Sequence, residues 1–293
     1  MLITPLILSL TPAVLEPQVL NPATVQHAPT ARSENSGDRQ RSWEMPPSVV
    51  EGERWSPFRD SDLIGEYGQP RWTSRRLFPT TRVYVLRPGQ FDFEFWQRVK
   101  TPKNGPSKVE TQYEFEIGLP GRFQFDYYLV TERTGSDGTT DIAESKYELR
   151  YALADWGKLP WNPTLYAEWK SVSGGPDGYE AKLLLGDEVA PGWKVGANLV
   201  YERNVSGDLA NEYQVTLGVS RTIIDEKFSL GGEVRASLTD VHGDRGDFEK
   251  ELEIGPSLQW RPVPNMHVDF APLIGIGSDS RRADIFFVLG WEF

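Results

Sequence analysis

The 293-residue chain contains no cysteine and three histidines. Disulfide scaffolds and Cys/His metal spacings are therefore excluded, and a cysteine-free chain fits an exported protein that avoids stray disulfides. Basic charge is in deficit: 31 Lys and Arg stand against 42 Asp and Glu, a formal net charge of −11. That balance argues against nucleic acid as a partner. No run of 18 or more apolar residues occurs, so a helical membrane span is excluded. The mean hydropathy of −0.46 looks soluble. It does not exclude a membrane β-barrel, whose strands are apolar only at every second position.

Against these absences stand aromatics, 12% of the chain with ten Trp, and a period of two over most of the sequence. In residues 109–119, Val109, Thr111, Tyr113, Phe115, Ile117 and Leu119 alternate with Glu110, Gln112, Glu114, Glu116 and Gly118. Successive side chains of a strand point to opposite faces, so one face is apolar and the other acidic. A helix with this pattern would have no coherent face. The same parity recurs in about twelve segments over residues 90–293, separated alternately by compact turns (119–121, 157–163, 190–192, 223–227, 261–265) and longer Gly/Asp-rich loops (133–141, 173–178, 204–211, 242–247). The expected architecture is all-β: a transmembrane, antiparallel, up-and-down β-barrel of about 12 strands over 87–293, with strand one starting near Arg87.

A soluble barrel would also alternate, with its apolar face inward. Two features turn that face outward. Aromatics on the apolar face gather at the strand ends: Tyr147, Trp169, Tyr179, Tyr201 and Tyr213 at one, Phe123, Trp193, Phe228, Trp260 and Trp291 at the other, with aliphatic positions between. Trp and Tyr settle at bilayer interfaces, where ring and polar tip are both satisfied. The chain also ends on Phe293, at the tip of an alternating strand that carries Ile285, Phe287, Leu289 and Trp291. On these residues, over 90–293, the sequence resembles the Gram-negative outer-membrane β-barrel superfamily of porins and transporters. In layout it is similar to twelve-stranded pores and to outer-membrane transporters associated with aromatic degradation. The resemblance implies a bacterial outer-membrane location with termini in the periplasm. It implies Phe293 as the signal read by the barrel-assembly machinery, and surrounding outer-membrane lipid as the other partner.

Ahead of the barrel, residues 1–15 have the length of a signal-peptide apolar core without the usual basic start, and 16–58 read as a disordered linker rich in Pro, Ser, Glu and Arg. Residues 59–86 are aromatic and Arg-rich without alternation. They read as a periplasmic linker or as a plug folded back into the lumen through Arg71, Trp72, Arg75 and Arg76.

The inward set is the expected pore lining: Asp92, Glu94, Arg98, Glu110, Glu114, Glu116, Arg122, Asp126, Glu148, Arg150, Glu168, Lys170, Glu180, Lys182, Glu233, Arg235, Glu251, Glu253 and Asp269. Acids outnumber bases, and a wet acidic channel concentrates cations. The expected function is passive passage of small solutes, with a sealed or adhesive barrel as the alternative. A lipid hydrolase is a further alternative that lacks a Ser–His arrangement: His27 falls in the linker, His242 in a loop and His267 inward. No cofactor or metal site is expected.

Overall fold

The computed structural model describes residues 59–136 and 138–293. The signal-like segment and the linker fall outside the described residues. Two short strands, β1 (Leu63–Ile64) and β2 (Gln69–Pro70), form a small ribbon, followed by a 3-10 turn over Arg71–Ser74. Twelve long strands follow: β3 (Phe91–Thr101), β4 (Lys108–Leu119), β5 (Phe123–Thr134), β6 (Asp141–Ala152), β7 (Thr164–Val172), β8 (Gly178–Ala190), β9 (Trp193–Asn204), β10 (Asn211–Ile224), β11 (Phe228–Asp240), β12 (Glu249–Val263), β13 (Met266–Gly275) and β14 (Ala283–Glu292). Each pairs antiparallel with its neighbours, and β14 pairs with β3, closing the barrel. Closure leaves no open edge, as a bilayer-spanning sheet requires.

The burial pattern follows the sequence parity. Leu199, Leu217 and Ile254 are 50%, 48% and 45% exposed on the outer face, whereas their inward neighbours Asn198, Thr216 and Glu253 are buried. The aromatic bands run across strands: Tyr179, Tyr201 and Tyr213 meet in turn, edge-on and then tilted, at 6.1 and 5.3 Å between ring centres, and at the opposite rim Phe123 meets Tyr151 at 4.6 Å. An apolar outer face between aromatic bands predicts a sharp response to charge. Leu217→Arg should lower folding stability in liposomes by about 2–4 kcal/mol, read from urea titrations; an unchanged stability would place Leu217 off the lipid.

Two expectations are corrected. Strand one begins at Phe91, not near Arg87. Pro88 has no N–H for a ladder, and Gly89 sits at φ 79°, so residues 87–90 form a turn closed by the Gln90 N–H donating to the Arg87 carbonyl (3.1 Å). The connection containing 157–163 is not compact: eleven residues, 153–163, separate β6 from β7. The other connections at that end are two or three residues long, whereas those at the opposite end run from five to eight. The two ends are called the short-turn and long-loop ends below. The long exception exists because it packs on the segment inside the barrel.

Candidate functional site

Residues 59–90 enter the lumen at the short-turn end, rise to a tip at Pro79–Arg82 and return to the start of β3. Their apolar side chains supply a core where the wall supplies charge: Tyr67, Trp72, Leu77, Phe78, Val83, Tyr84 and Val85 are buried together with Ala152. Trp156, from the 153–163 connection, packs edge-on against Trp72 (5.6 Å) and Tyr84 (5.2 Å). The wall is cut back to receive them. Gly186, Gly196 and Gly218 lie in register on β8, β9 and β10. A Cβ on Gly218 would meet the Phe78 ring at 2.6 Å, and one on Gly196 would meet Thr81 and Val83 at 3.0 and 3.1 Å. Three inward glycines in one row form a groove whose occupant is Phe78, Thr81 and Val83.

The backbone of the segment is satisfied by the wall, as buried amides require. Asn198 accepts from the Arg82 N–H (2.9 Å) and donates to the Arg82 carbonyl (2.7 Å). Gln124 accepts from the Leu86 N–H (2.7 Å), Glu233 from the Thr80 N–H (2.8 Å), and the Thr81 hydroxyl donates to Thr216 (2.9 Å).

Four arginines bind the segment to wall carboxylates. Arg71 and Arg75 both reach Glu226 at 3.1 Å, and Arg75 also reaches Glu292 at 2.8 Å. Arg76 donates to Glu94 (2.6 Å) and to both oxygens of Glu114 (3.0 Å), with its guanidinium 4.1 Å above the Trp96 ring. Arg82 contacts Glu114 and donates to Glu116 (2.6 Å). The polarity is reversed at Asp60, which accepts from Lys194 and Arg261, each at 2.6 Å. Burial alone would raise the Asp60 pKa, but the two cations outweigh it and hold the carboxyl well below its usual range. A carboxylate of depressed pKa stabilises docking above the ordinary carboxylate pKa and loses that contribution only as pH falls further. Docking at Asp60 is thus intact at neutral pH.

Across the wall, one register row is acidic on nine consecutive strands. Glu292 faces Asp92, which faces Glu116; the row continues through Asp126, Glu148, Glu168, Glu180 and Glu202 to Glu212. Like charges directly opposite destabilise a sheet, so this ladder is held by flanking cations. Arg150 bridges Asp126 (2.8 Å) and Glu148, Lys182 reaches Glu180 (2.7 Å), and Lys170 reaches Glu202 (2.6 Å). Because strands tilt in a barrel, a row perpendicular to them climbs the axis. The ladder winds from the long-loop end at Glu212 to the short-turn end at Glu292, where the cations that meet it come from the segment.

Above the segment lies a cavity of about 700 Å³. Arg76, Pro79, Thr80 and Arg82 form its floor; its wall rises to Glu212, Thr239 and Glu249 at the long-loop rim. Eleven glutamates and nine bases line it, and two of the nine bases, Arg76 and Arg82, belong to the segment.

Of the sequence-predicted lining, Asp92, Glu94, Glu114, Glu116, Asp126, Glu148, Arg150, Glu168, Glu180, Glu233, Glu253 and Asp269 are buried on the inward face. Arg98, Glu110, Lys170, Lys182, Arg235 and Glu251 line the cavity. Arg122 does not belong with them. It occupies the turn before β5 at φ 66°, and its guanidinium turns outward to the Ala152 carbonyl (3.0 Å) and the Tyr151 ring. Strand parity does not carry through a turn. Trp72 is buried in the segment with Arg75 and Arg76.

Sequence reasoning missed Glu226, Asp60, Arg261 and Asp284. Glu226 lies in a turn with φ 59° that points its carboxylate into the lumen, and Arg261, at the head of the 261–265 turn expected from sequence, lies within β12, which extends through Val263. Asp284 joins Arg98 (2.6 Å), Arg235 (2.9 Å) and Arg281 (3.3 Å). His267 is buried and hydrogen-bonds Asp269 at 2.5 Å, with Glu94 3.5 Å away. Among the described residues, Glu94, Glu114 and Glu116 are the one group of carboxylates close enough for a shared ion, and Arg76 and Arg82 already occupy the space between them.

A family model described as "Putative MetA-pathway of phenol degradation" matches residues 182–283. No curated protein matches the chain. Among solved structures, the fold is similar to an outer membrane channel from Pseudomonas putida F1, at 10% identity and a TM-score of 0.55, over 74% of this chain and 100% of that one. Weaker likenesses include the KdgM porin in complex with disordered oligogalacturonate (8% identity, TM-score 0.47, 69% and 99% covered) and the NanC porin (15%, 0.46, 69% and 98%). The likeness is one of fold: a closed, antiparallel, twelve-stranded barrel.

Proposed function

We propose that this outer-membrane β-barrel is a gated channel for small cationic or neutral solutes, with its short-turn end and both termini in the periplasm. The observation that supports this reading is the vestibule of about 700 Å³ that ends on a non-covalent floor. Solute enters from the long-loop end and stops at Pro79–Arg82. It continues only when the segment yields. Withdrawal of Arg76 and Arg82 leaves seven bases against eleven glutamates on the wall, so the opened lumen is more cation-selective than the closed vestibule. The likeness in fold to an outer membrane channel from Pseudomonas putida F1 supports the channel reading.

The test is single-channel recording of the refolded full-length chain in a planar bilayer with a tenfold KCl gradient. Infrequent steps that reverse toward the potassium equilibrium potential are expected. Reversal on the chloride side would overturn the acidic pore. Permanent silence from a folded barrel would favour a sealed, structural barrel, the second reading, which the density of buried ion pairs around the segment supports.

A further inference from the structure

The floor of the vestibule has the composition of a receptor rather than of a generic seal. Arg76 is held on three sides: Glu94 accepts its Nε–H at 2.6 Å, both Glu114 oxygens accept from Nη2 at 3.0 Å, and its guanidinium carbon lies over the Trp96 ring, 4.1 Å from the ring centre. The Trp96 indole N–H in turn donates to the Glu94 oxygen that Arg76 uses (3.1 Å), which fixes both ring and carboxylate. Planar donors on paired carboxylate oxygens, with an aromatic face below, match a guanidinium and match a compact ammonium poorly. The group seated there is not part of the wall. It arrives on a segment that the wall must release for anything to pass. Arg76, Trp96 and Glu114 all border the vestibule, so the seat that Arg76 fills lies directly under a solute held there. The acidic ladder leads down to the same place, from Glu212 through Glu180 and Glu148 to Glu116.

We propose that Arg76 is an internal ligand, and that Glu94, Glu114 and Trp96 form a receptor for guanidinium-bearing solutes that open the channel by taking its place. The idea rests on the channel reading given above and names its solute class. A ligand moves an equilibrium only by binding one state better than the other. When the segment leaves, Glu114 loses both Arg76 and Arg82 and Glu94 keeps only His267 at 3.5 Å, and underpaired buried charge is costly. A neutral solute cannot offset that cost. A simple ammonium offsets the charge but not the two-oxygen geometry and the stacking. A guanidinium restores all three contacts.

The experiment uses the full chain carrying T81C, the one cysteine it would then possess. Thr81, in the tip of the segment, is buried against Thr216 of the wall. Its labelling rate with a membrane-impermeant maleimide therefore reports release. The probes are agmatine, with a guanidinium at one end and an ammonium at the other, and 1,5-diaminopentane, with two ammoniums, each at 10 mM in the same KCl. Agmatine should raise labelling about tenfold and the diamine less than twofold. In W96L the two probes should act alike, and in W96F, which keeps a ring, the preference should partly return. Equal acceleration by both probes in the parent chain would reduce the effect to charge screening, and no acceleration by agmatine would overturn the receptor. Bilayer recordings on the same samples separate the two readings. Labelling that rises without conductance overturns the channel, and conductance indifferent to agmatine overturns the receptor alone.

Discussion

Joining the segment to the wall through a disulfide, T81C with T216C, should reduce the full-length protein's conductance to less than about a tenth, and a reductant should restore it. The two hydroxyl oxygens lie 2.9 Å apart across the interface, which brings the paired Cβ atoms near disulfide range. The chain has no other cysteine to compete for the bond. The link leaves the Gly186–Gly196–Gly218 groove and all four arginine contacts in place, so the wall has no new reason to distort. It only forbids the step on which passage depends. A crosslink confirmed by mass that leaves conductance unchanged would mean that solute goes around the segment and that the segment is no gate.

The second large effect is expected at Gly218. The ring seated directly against it is Phe78, fully buried, and an added Cβ would fall at 2.6 Å from that ring. Gly218 is paired in the wall on both sides, with Gly196 and with Glu233, so the strand cannot recede. Phe78 must move instead. Overpacking of this kind costs about 1–3 kcal/mol. At about 1.4 kcal/mol per factor of ten, the balance between docked and undocked segment should shift roughly 5- to 150-fold. Gly218→Val should accordingly raise open probability by that order in bilayer recordings, with barrel folding on gels unaltered. If Gly218→Val matches the parent in open probability, Phe78 is not what holds the segment in its groove.

Much of this molecule was legible before any coordinates. Phe115 against Glu114 and Leu217 against Thr216 are local statements: the faces of one strand follow from its own residues, and the count of twelve follows from repeating them. The closure of the barrel by β14 on β3 and the outward aromatic bands came with that pattern. What stayed hidden depends on relations between strands. The acidic ladder from Glu212 to Glu292 cannot be read from any one segment, because a shift of one strand by two residues would preserve every face and destroy the row. The glycine groove is hidden for the same reason: Gly186, Gly196 and Gly218 read singly as gaps in an alternation. Turns hid the rest. Glu226 and Arg122 both sit at positive φ, one turned inward and one outward, and no periodicity predicts which. The path of residues 59–90 had no period at all. The one hint was its sign, six arginines set against a wall rich in glutamate.

The connections at the long-loop end, five to eight residues each, are too short to fold over the mouth. In the orientation proposed above, with that end outward, the barrel presents an open bowl with little protruding surface for an antibody or a phage to grasp. It also follows that the wall carries no sieve of its own at that rim. In the channel proposed above, the choice among solutes is shared between the wall seat of Glu94, Glu114 and Trp96 and the removable insert that fills it, so rewriting Pro79 to Arg82 and their neighbours changes the fit at that seat while the membrane-embedded hull stays as it is.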